Sequence, residues 1–421
     1  MAYPTIVLEA AFTVGGAFGT ALILDSATKG IVDTNTVSSE VWTDITAYAL
    51  GISTKRGASR AEGPILRFEA GSMSVTLDNS DRRFDPTNLS GPYVSAGATQ
   101  VTPMRKVRVS AVHGGTSYPV FTGYADSWDI AYQGSGMSTC VLTATDATKV
   151  LSNYDRVALG TAVGAGDLSG ARVNRVLDSV SWPAGDRMVA AGDSTLQATT
   201  MDRSAAEELL KVQDSEIGQV FVDGAGRVVF HNRHWLSENG TSTVVQATFG
   251  DSVGELPFVD AGLSYDDTTL NNVVRVARVG GTQQVAEDVT SQQQYLIHTF
   301  DRTDLIVETD TVSADYAAFI LYQTKNPELR FTSLTVAGND NEDALFPHML
   351  GLAIGDRIRI NRVPPGGGVV SRDVFIAGMS HEVPGPNEWR TTWALQSATK
   401  WSYLTLDNAI TGLLDTGALA Y

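Results

Sequence analysis

Alternating apolar and polar positions occur in two separated parts of the chain and predict antiparallel β-strands in both. Residues 105–147 contain a hairpin that turns at Gly114 and Gly115, followed by a returning strand. Residues 356–398 contain the same arrangement around a turn at 366–368. Use of one β-barrel unit twice predicts that the two segments superimpose. Ordinary hairpins in two unrelated antiparallel domains would explain the pattern equally well.

Helical periodicity replaces this alternation between the two copies. One predicted helix ends before Pro183, and a second begins with a capping box formed by Ser204 and Glu207. Gly218 is expected to end the second helix, and a hairpin follows around residues 223–226. The apolar side of the first helix consists of Val173, Val176, Leu177 and Val180.

The fold class expected from these patterns is mainly β with a smaller α+β part. Two antiparallel β-barrel domains are expected to be separated by an α+β insert, and the second barrel is expected to carry one helix from Ser313 to Asn326. The expected boundaries are 1–155 for the first barrel, 156–258 for the insert, 259–400 for the second barrel and 401–421 for a C-terminal tail.

Composition is that of a folded protein with several domains. The 421 residues exceed the usual size of a single core, and 43% are hydrophobic while 18% are charged. Thirty basic against 47 acidic residues leave a net charge of −17. Tight binding to a phosphate backbone depends on lysine and arginine, so this balance argues against a nucleic-acid-binding protein.

Cysteine content and the N-terminal segment indicate folding in the cytoplasm. Cys140 is the single cysteine, which excludes an internal disulfide, and its apolar strand predicts a buried side chain. The apolar segment from Thr5 to Leu24 contains Glu9 and three glycines and has no basic residue before Lys29. It resembles neither a secretory signal nor a membrane span.

Two glycine motifs suggest chemistry but lack the required context. Residues 250–254 match the G-x-S-x-G pattern around Ser252, yet Pro257 follows where a helix is needed. Residues 164–166 resemble the start of a dinucleotide loop, yet the third glycine, Gly170, comes one residue late. We interpret the first as a loop and the second as a flexible connector.

Polar clusters likewise favour structural roles. His231 and His234 are expected to point to opposite faces of a strand, towards the surface or a partner, rather than to bind a metal together. Adjacent Glu207 and Glu208 are expected to stabilise a helix N-terminus. The acidic turn, formed by Asp78, Asn79, Asp81 and Asp85, lacks the spacing of a calcium loop and is expected to bond backbone amides. We predict no catalytic, cofactor-binding or metal-binding residue.

Residues 68–88, from Phe68 to Asn88, resemble minor tail proteins of long-tailed bacteriophages that infect actinobacteria, in the tail-hub (baseplate hub) family. Weaker similarity involves short segments elsewhere, and together the segments extend over residues 1–400. These weaker segments are 42–46, 119–124, 218–223, 355–358 and 378–381.

The resemblance implies a virion protein at the tail tip, with two tube-like barrels per chain and three chains per ring. Its implied partners are two further copies, the distal tail protein, the tape-measure protein and other tip or receptor-binding proteins. Phage DNA would pass through without specific binding, and the acidic balance agrees with that. Neither enzymatic activity nor membrane insertion is implied, and the protein would assemble in the host cytoplasm.

Two other functions remain open at this point. A distal tail protein forms a six-fold ring with one such barrel per chain. A tail-associated glycan-binding or glycan-cleaving protein would expose Trp389 and Trp393 as sugar platforms, although their alternation predicts that they are buried.

Overall fold

The computed structural model describes residues 3–12, 41–59, 63, 65–154, 160–385 and 387–401. The protein is mainly β with antiparallel pairing dominant, as the sequence predicts. The expected tail, residues 401–421, lies outside the described residues except for Trp401, which is buried.

The N-terminal part is built of strands, because its alternating residues place one side of each strand in a core. In β4, for example, Met73, Val75 and Leu77 are buried while Ser72 and Ser74 are exposed. The elements are β1 Thr5–Ala10, β2 Thr43–Asp44, β3 Ala49–Gly57, β4 Glu69–Asp78, β5 Val94–Ser95, β6 Ala98–Thr99, β7 Lys106–His113, β8 Thr116–Gln133, β9 Met137–Thr145 and α1 Ala147–Asn153.

The central part contains both predicted helices and the predicted hairpin. The predicted capping box of Ser204 and Glu207 is formed. Helix α3 ends at Glu216, and Ile217, with a φ of 60°, is its left-handed cap, one residue before the expected Gly218. The elements are β10 Asp167–Leu168, α2 Ser169–Ser179, β11 Arg187–Val189, β12 Thr195–Leu196, α3 Ala205–Glu216, β13 Gln219–Val222, β14 Val228–His231, α4 Trp235–Glu238 and α5 Gly240–Thr243.

The C-terminal part returns to long strands but also contains a small sheet that the sequence patterns did not predict. Strands β17 to β19 form this sheet, and helix α7 packs against it. The elements are β15 Val245–Gly250, β16 Asp260–Ser264, β17 Val273–Arg278, β18 Gln284–Glu287, α6 Val289–Tyr295, β19 Thr299–Leu305, α7 Asp310–Thr324, β20 Arg330–Ala337, α8 Glu342–Gly351, β21 Arg357–Arg362, β22 Val370–Gly385 and β23 Glu388–Ser397.

One continuous sheet contains the strands of both parts that we expected to form two barrels. The strand order is β16-β20-β23-β22-β3-β4-β9-β8-β7-β1-β2, and β21 joins β22 to β15. Antiparallel pairing of β22 with β3 connects the two parts, and no pairing among the described strands closes either part on itself. Strand β15 belongs to this sheet although it lies inside the range expected for the insert.

Two meanders in this sheet have the same strand register. In the β7-β8-β9 meander, Tyr124 pairs with Thr145. In the β21-β22-β23 meander, Phe375 pairs with Gln396. Both partners lie 251 residues after their counterparts (375 − 124 and 396 − 145). Residues 105–147 and 356–398, which have the same sequence pattern, therefore also have the same pairing between strands.

A β-bulge also occurs at the same place in both meanders. The register skips one residue after Ala125 in β8 and after Ile376 in β22, again 251 residues apart. A bulge changes the local twist of a strand, so both long strands change direction at equivalent points.

The equivalence extends to five strands on each side, and a sixth strand lies at the same edge of both. Strand β4 pairs antiparallel with β9, as β20 pairs with β23. On the other edge of these strands, β3 pairs with β4, as β16 pairs with β20. We name β3, β4, β9, β8, β7 and β1 the first repeat unit, and β16, β20, β23, β22, β21 and β15 the second. The units differ at the last strand, where β1 is antiparallel to β7 but β15 is parallel to β21.

The helical region packs on this sheet through a second apolar core. The first core lies along the large sheet, and the second joins helices α1, α2, α3 and α7 to the small sheets. Among the described residues, no helix is both long and apolar enough to cross a bilayer.

A buried arginine organises the start of the helical region. The Arg172 guanidinium is fully buried and donates to the Asp167 carboxylate at 3.1 Å. It also donates to the Thr199 hydroxyl and to the carbonyls of Gly164 and Gln197. The glycine loop that we interpreted as a flexible connector is therefore held by a side chain, because its carbonyl needs a donor inside the fold.

We expect Arg172→Met to lower the free energy of unfolding by about 3 kcal/mol, because it leaves the carbonyls of Gly164 and Gln197 without this donor inside the fold. Urea unfolding followed by circular dichroism measures this. Arg175→Met is the matched control, since Arg175 contacts the same carboxylate from a half-exposed position and should contribute less than about 1 kcal/mol. Equal losses in the two variants would contradict this role of Arg172.

Candidate functional site

The main candidate is the place where the two repeat units join, which we name the junction. It consists of residues 52–57 of β3 and residues 378–383 of β22. Ile52 pairs with Val383 at one end and Gly57 with Gly378 at the other. The N-terminal half of β22 pairs with β21 inside the second unit, so one strand takes part both in its own unit and in the junction.

The two backbones approach very closely at one end of the junction. A Cβ on Gly57 would lie 2.7 Å from the Ala377 carbonyl oxygen, and a Cβ on Gly378 would lie 2.1 Å from that of Ala58. Gly57 also has a φ of 86°, which favours glycine. The junction therefore requires glycine on both strands.

A buried histidine lies at the middle of the junction. His381 pairs with Thr54 across the two strands, its Nδ1 accepts a hydrogen bond from the Trp389 indole at 3.3 Å, and the Thr391 hydroxyl lies 2.9 Å from the same nitrogen. Burial, together with the nearby Arg56 guanidinium, lowers the pKa of His381 to about 3. The imidazole is therefore neutral at pH 7, in agreement with the bond that its Nδ1 accepts from the Trp389 indole.

Arg56 brings a charge to the same face of the sheet. Burial lowers the pKa of its guanidinium to about 10, and Asp223 opposes that shift. Asp223 begins the turn of the β13-β14 hairpin, and its carboxylate accepts from the backbone of Ala225 and from Arg227. The central α+β part is thus electrostatically coupled to the junction. All of these interactions position strands, and none of them presents a nucleophile to solvent.

The two glycine motifs have the structural surroundings expected of loops. Ser252 follows the end of β15, and its amide donates to the Glu255 carboxylate in a turn. No helix follows it, as predicted. At the other motif, the Gly166 amide donates to the Leu196 carbonyl, which fixes the loop against strand β12.

Of the two histidines, His231 lies elsewhere than predicted. It is buried and stacks on Trp235 at 4.0 Å, and burial lowers its pKa to about 3. His234 is half-buried and bonds Asp193 at 3.0 Å, which raises the pKa of the imidazole. The surface position that we expected is wrong for His231, because the following helix α4 folds over it.

The acidic residues near the end of β4 form the turn that we expected. Asp78, Asp81 and Asp85 accept from the backbone amides of residues two positions later, and Asn79 accepts from Phe84. Asp85 also accepts from the Thr87 hydroxyl, the Tyr132 hydroxyl and Arg82, and these bonds hold its pKa well below the usual range. The oxygens are thus taken up by groups of the protein itself.

The remaining candidates also have structural positions. Glu207 closes the capping box, and Glu208 accepts from the Arg203 amide, so both stabilise the start of α3 as predicted. Cys140 is buried, and burial raises the pKa of its thiol to about 12. Trp389 and Trp393 are 3% and 0% exposed, which confirms the buried sheet face.

The sequence patterns missed half of the junction. Residues 378–381 carry part of the resemblance described above, but no pattern connected them with β3. Gly57 was the available signal, because an isolated glycine in an alternating strand often marks a close backbone approach.

The fold of the whole chain is similar to that of two tail proteins. A tail protein from Neisseria meningitidis superimposes with a TM-score of 0.57 at 12% identity, over 94% of this chain and 98% of that chain. A 43 kDa tail protein of prophage MuSo2 from Shewanella oneidensis gives 0.55 at 12% identity, over 95% and 98%. No family model and no curated protein matches the sequence. The comparisons therefore establish a shared fold.

We expect Gly378→Ala to destabilise the protein by at least about 2 kcal/mol, because its Cβ would overlap the Ala58 carbonyl and force the strands apart. Thermal unfolding measures the effect. Gly385→Ala on the same strand is the control, since its Cβ would meet nothing within 4 Å. A Gly378→Ala protein as stable as the control would show that the junction tolerates separation.

We expect His381 to make stability depend on pH below 6.5. The unfolded chain protonates this imidazole near its ordinary pKa of 6.5, and the folded chain only at about 3. Between these values the unfolded state binds more protons, so stability falls as the pH falls, by up to about 1.4 kcal/mol per pH unit. His381→Gln should flatten this slope in urea titrations between about pH 4.5 and about pH 6.5, a range that lies between the two pKa values.

His234→Gln provides a control of opposite sign. Its bond to Asp193 raises the pKa of the histidine, so its contribution is complete below the unfolded value of 6.5 and is lost at higher pH. This variant should change the pH dependence above 6.5 and leave the acidic slope in place. An unchanged acidic slope in His381→Gln would contradict the assignment.

Proposed function

We propose that this chain is a structural hub protein at the tip of a bacteriophage tail. The observation that carries the proposal is the presence of two repeat units with one register in a single chain. Similarity in fold to two tail proteins over almost the whole chain supports it. The sequence resemblance to hub proteins points in the same direction and names phages of actinobacteria.

The duplication gives the proposal its symmetry. A tail tube is six-fold, and three chains with two equivalent units each would present six units to it. We assign the two tube-like domains to residues 1–155 and 259–400, with the α+β insert between them. Because β15 pairs with β21, residues 245–250 belong with the second domain in this assignment.

Position in the virion follows from the hub role. One side of the ring would face the distal tail protein and the tape-measure protein, and the other would anchor tip or receptor-binding proteins. DNA would pass through the ring during ejection. The net charge of −17 favours such passage, because acidic walls repel phosphate and do not retain it. The protein would be assembled into the tail in the host cytoplasm and would have no enzymatic role.

The other two functions have less support. A distal tail protein supplies one tube-like unit per chain, whereas this chain has two matched units. A sugar-binding platform needs exposed aromatic rings, and Trp389 and Trp393 are buried.

We expect three copies in the purified ring and a location at the tail end of the particle. Native mass spectrometry of the 44.8 kDa chain, alone and with its neighbouring tail proteins, measures the copy number. Electron microscopy of particles labelled with a gold-conjugated antibody measures the location, and an excess of free protein should abolish the label. Six copies per ring would favour the distal tail protein, and label away from the tail end would overturn the proposal.

A further inference from the structure

The long strand β8 has an open edge in its C-terminal half. On one edge, β8 pairs with β7 as far as Tyr124. On the same edge, Ala125 accepts a backbone bond from Met104 and donates one to Arg105. From Ser127 to Gln133, β9 covers one edge, and no described strand covers the other. The equivalent part of β22 is covered by β3 at the junction.

Strand β16 has the complementary open edge. It pairs with β20 and ends the strand order of the large sheet. Its counterpart β3 pairs with β4 in the same way but uses its second edge for the junction. Each repeat unit thus has one edge of the type of β3 and one of the type of β22. Among the described strands, one such pair is joined.

We propose that β16 of one copy pairs antiparallel with residues 127–133 of β8 in a second copy, and so repeats the junction between chains. This rests on the proposed hub function, which requires several copies in a ring. Within one copy, six strands of the sheet separate the two edges, and they do not pair. A second copy is therefore the partner that offers the missing edge.

The register of the junction gives the register between chains. In the junction, Val383 pairs with Ile52 and Glu382 with Ser53. Subtracting 251 from the β22 positions gives Tyr132 and Ala131. On strand β3, Ile52 pairs with Val75 and Ser53 pairs with Ser74. On strand β16, Ala261 pairs with Leu334 and Gly262 pairs with Ser333, which are the equivalent positions of β20. Ala261 and Gly262 are therefore the counterparts of Ile52 and Ser53. The expected pairs between chains are Ala261–Tyr132, Gly262–Ala131 and, further along, Ser264–Asp129.

Side chains at both edges favour burial by a partner. Tyr132 is 65% exposed in the isolated chain, Leu263 is 45% exposed and Tyr265 is 64% exposed. At the junction, where the edge is covered by β3, His381 is buried. Its counterpart on the open edge of β8, Ile130, is only partly buried. Proteins usually protect an open edge with lysine or proline, and neither β16 nor residues 127–133 contain one.

The charges on the two edges are compatible with this register. Asp260 would lie opposite Gln133, and Asp129 would lie opposite Ser264, so no two carboxylates face each other directly. Because each copy uses two different edges, the contact is head-to-tail, and a closed ring leaves neither edge open.

Cysteine cross-linking tests the pairing with an internal standard. We expect the double variant Ala131→Cys/Gly262→Cys, treated with a short bis-maleimide, to form covalent multimers up to the size of the ring. Ser53→Cys/Glu382→Cys carries the equivalent pair inside one chain, so it should react fully and keep the mass of a single chain. The native Cys140 is buried and should not react. The single variants Ala131→Cys and Gly262→Cys should not form multimers beyond dimers.

A charge at the edge provides a second test. We expect Leu263→Lys to raise the concentration for half-assembly at least about tenfold, because an inserted ammonium would have to be desolvated in the new sheet. Its melting temperature as a single chain should match wild type, since Leu263 is exposed. Val285→Lys, on the exposed face of edge strand β18, is the matched control and should assemble normally.

The outcomes separate this inference from the hub proposal. Rings that form normally with Leu263→Lys, and that give no inter-chain cross-link while the internal pair reacts, would overturn the pairing and leave the hub function standing. A wild-type chain that stays a single copy at all concentrations, also with its neighbouring tail proteins, would overturn both. Multimers of the expected register in a ring of another size would support the pairing and contradict the copy number of three.

Discussion

Antiparallel pairing of β22 with β3 is the interaction on which the rest of the structure depends. It turns two six-strand units into one sheet, because β22 of the second unit pairs directly with β3 of the first. Glycine on both strands lets the backbones approach, and the buried His381 fills the space beside them without introducing a charge. The helical part then packs on a support whose geometry is already set.

Local patterns were sufficient to predict several of the individual elements. The alternation of Met73, Val75 and Leu77 identified β4, and the Ser204–Glu207 capping box identified the start of α3. Both signals act between residues close in sequence, so the sequence contains them directly. Helix α8 was missed because Pro347 lies inside it. The β17–β19 sheet was missed because β17 and β19 are parallel and are separated in sequence by β18 and α6.

Long-range pairing and the surroundings of single side chains were not predictable in the same way. The two halves were expected as separate barrels because nothing local connects Ile52 with Val383. His231 was expected at the surface because its burial depends on Trp235 folding back over the hairpin. The candidate site is a pairing of distant backbones, and a motif search finds side-chain chemistry rather than backbone partners.

The shared strand also sets the order of events during synthesis. Strand β3 emerges from the ribosome early, but its partner in β22 follows about 330 residues later. The first unit is therefore made well before this edge of β3 is covered, and contacts between such distant residues form slowly. Nascent chains on neighbouring ribosomes offer the same open edge, so the yield of correctly folded protein should depend on how rapidly β22 is made.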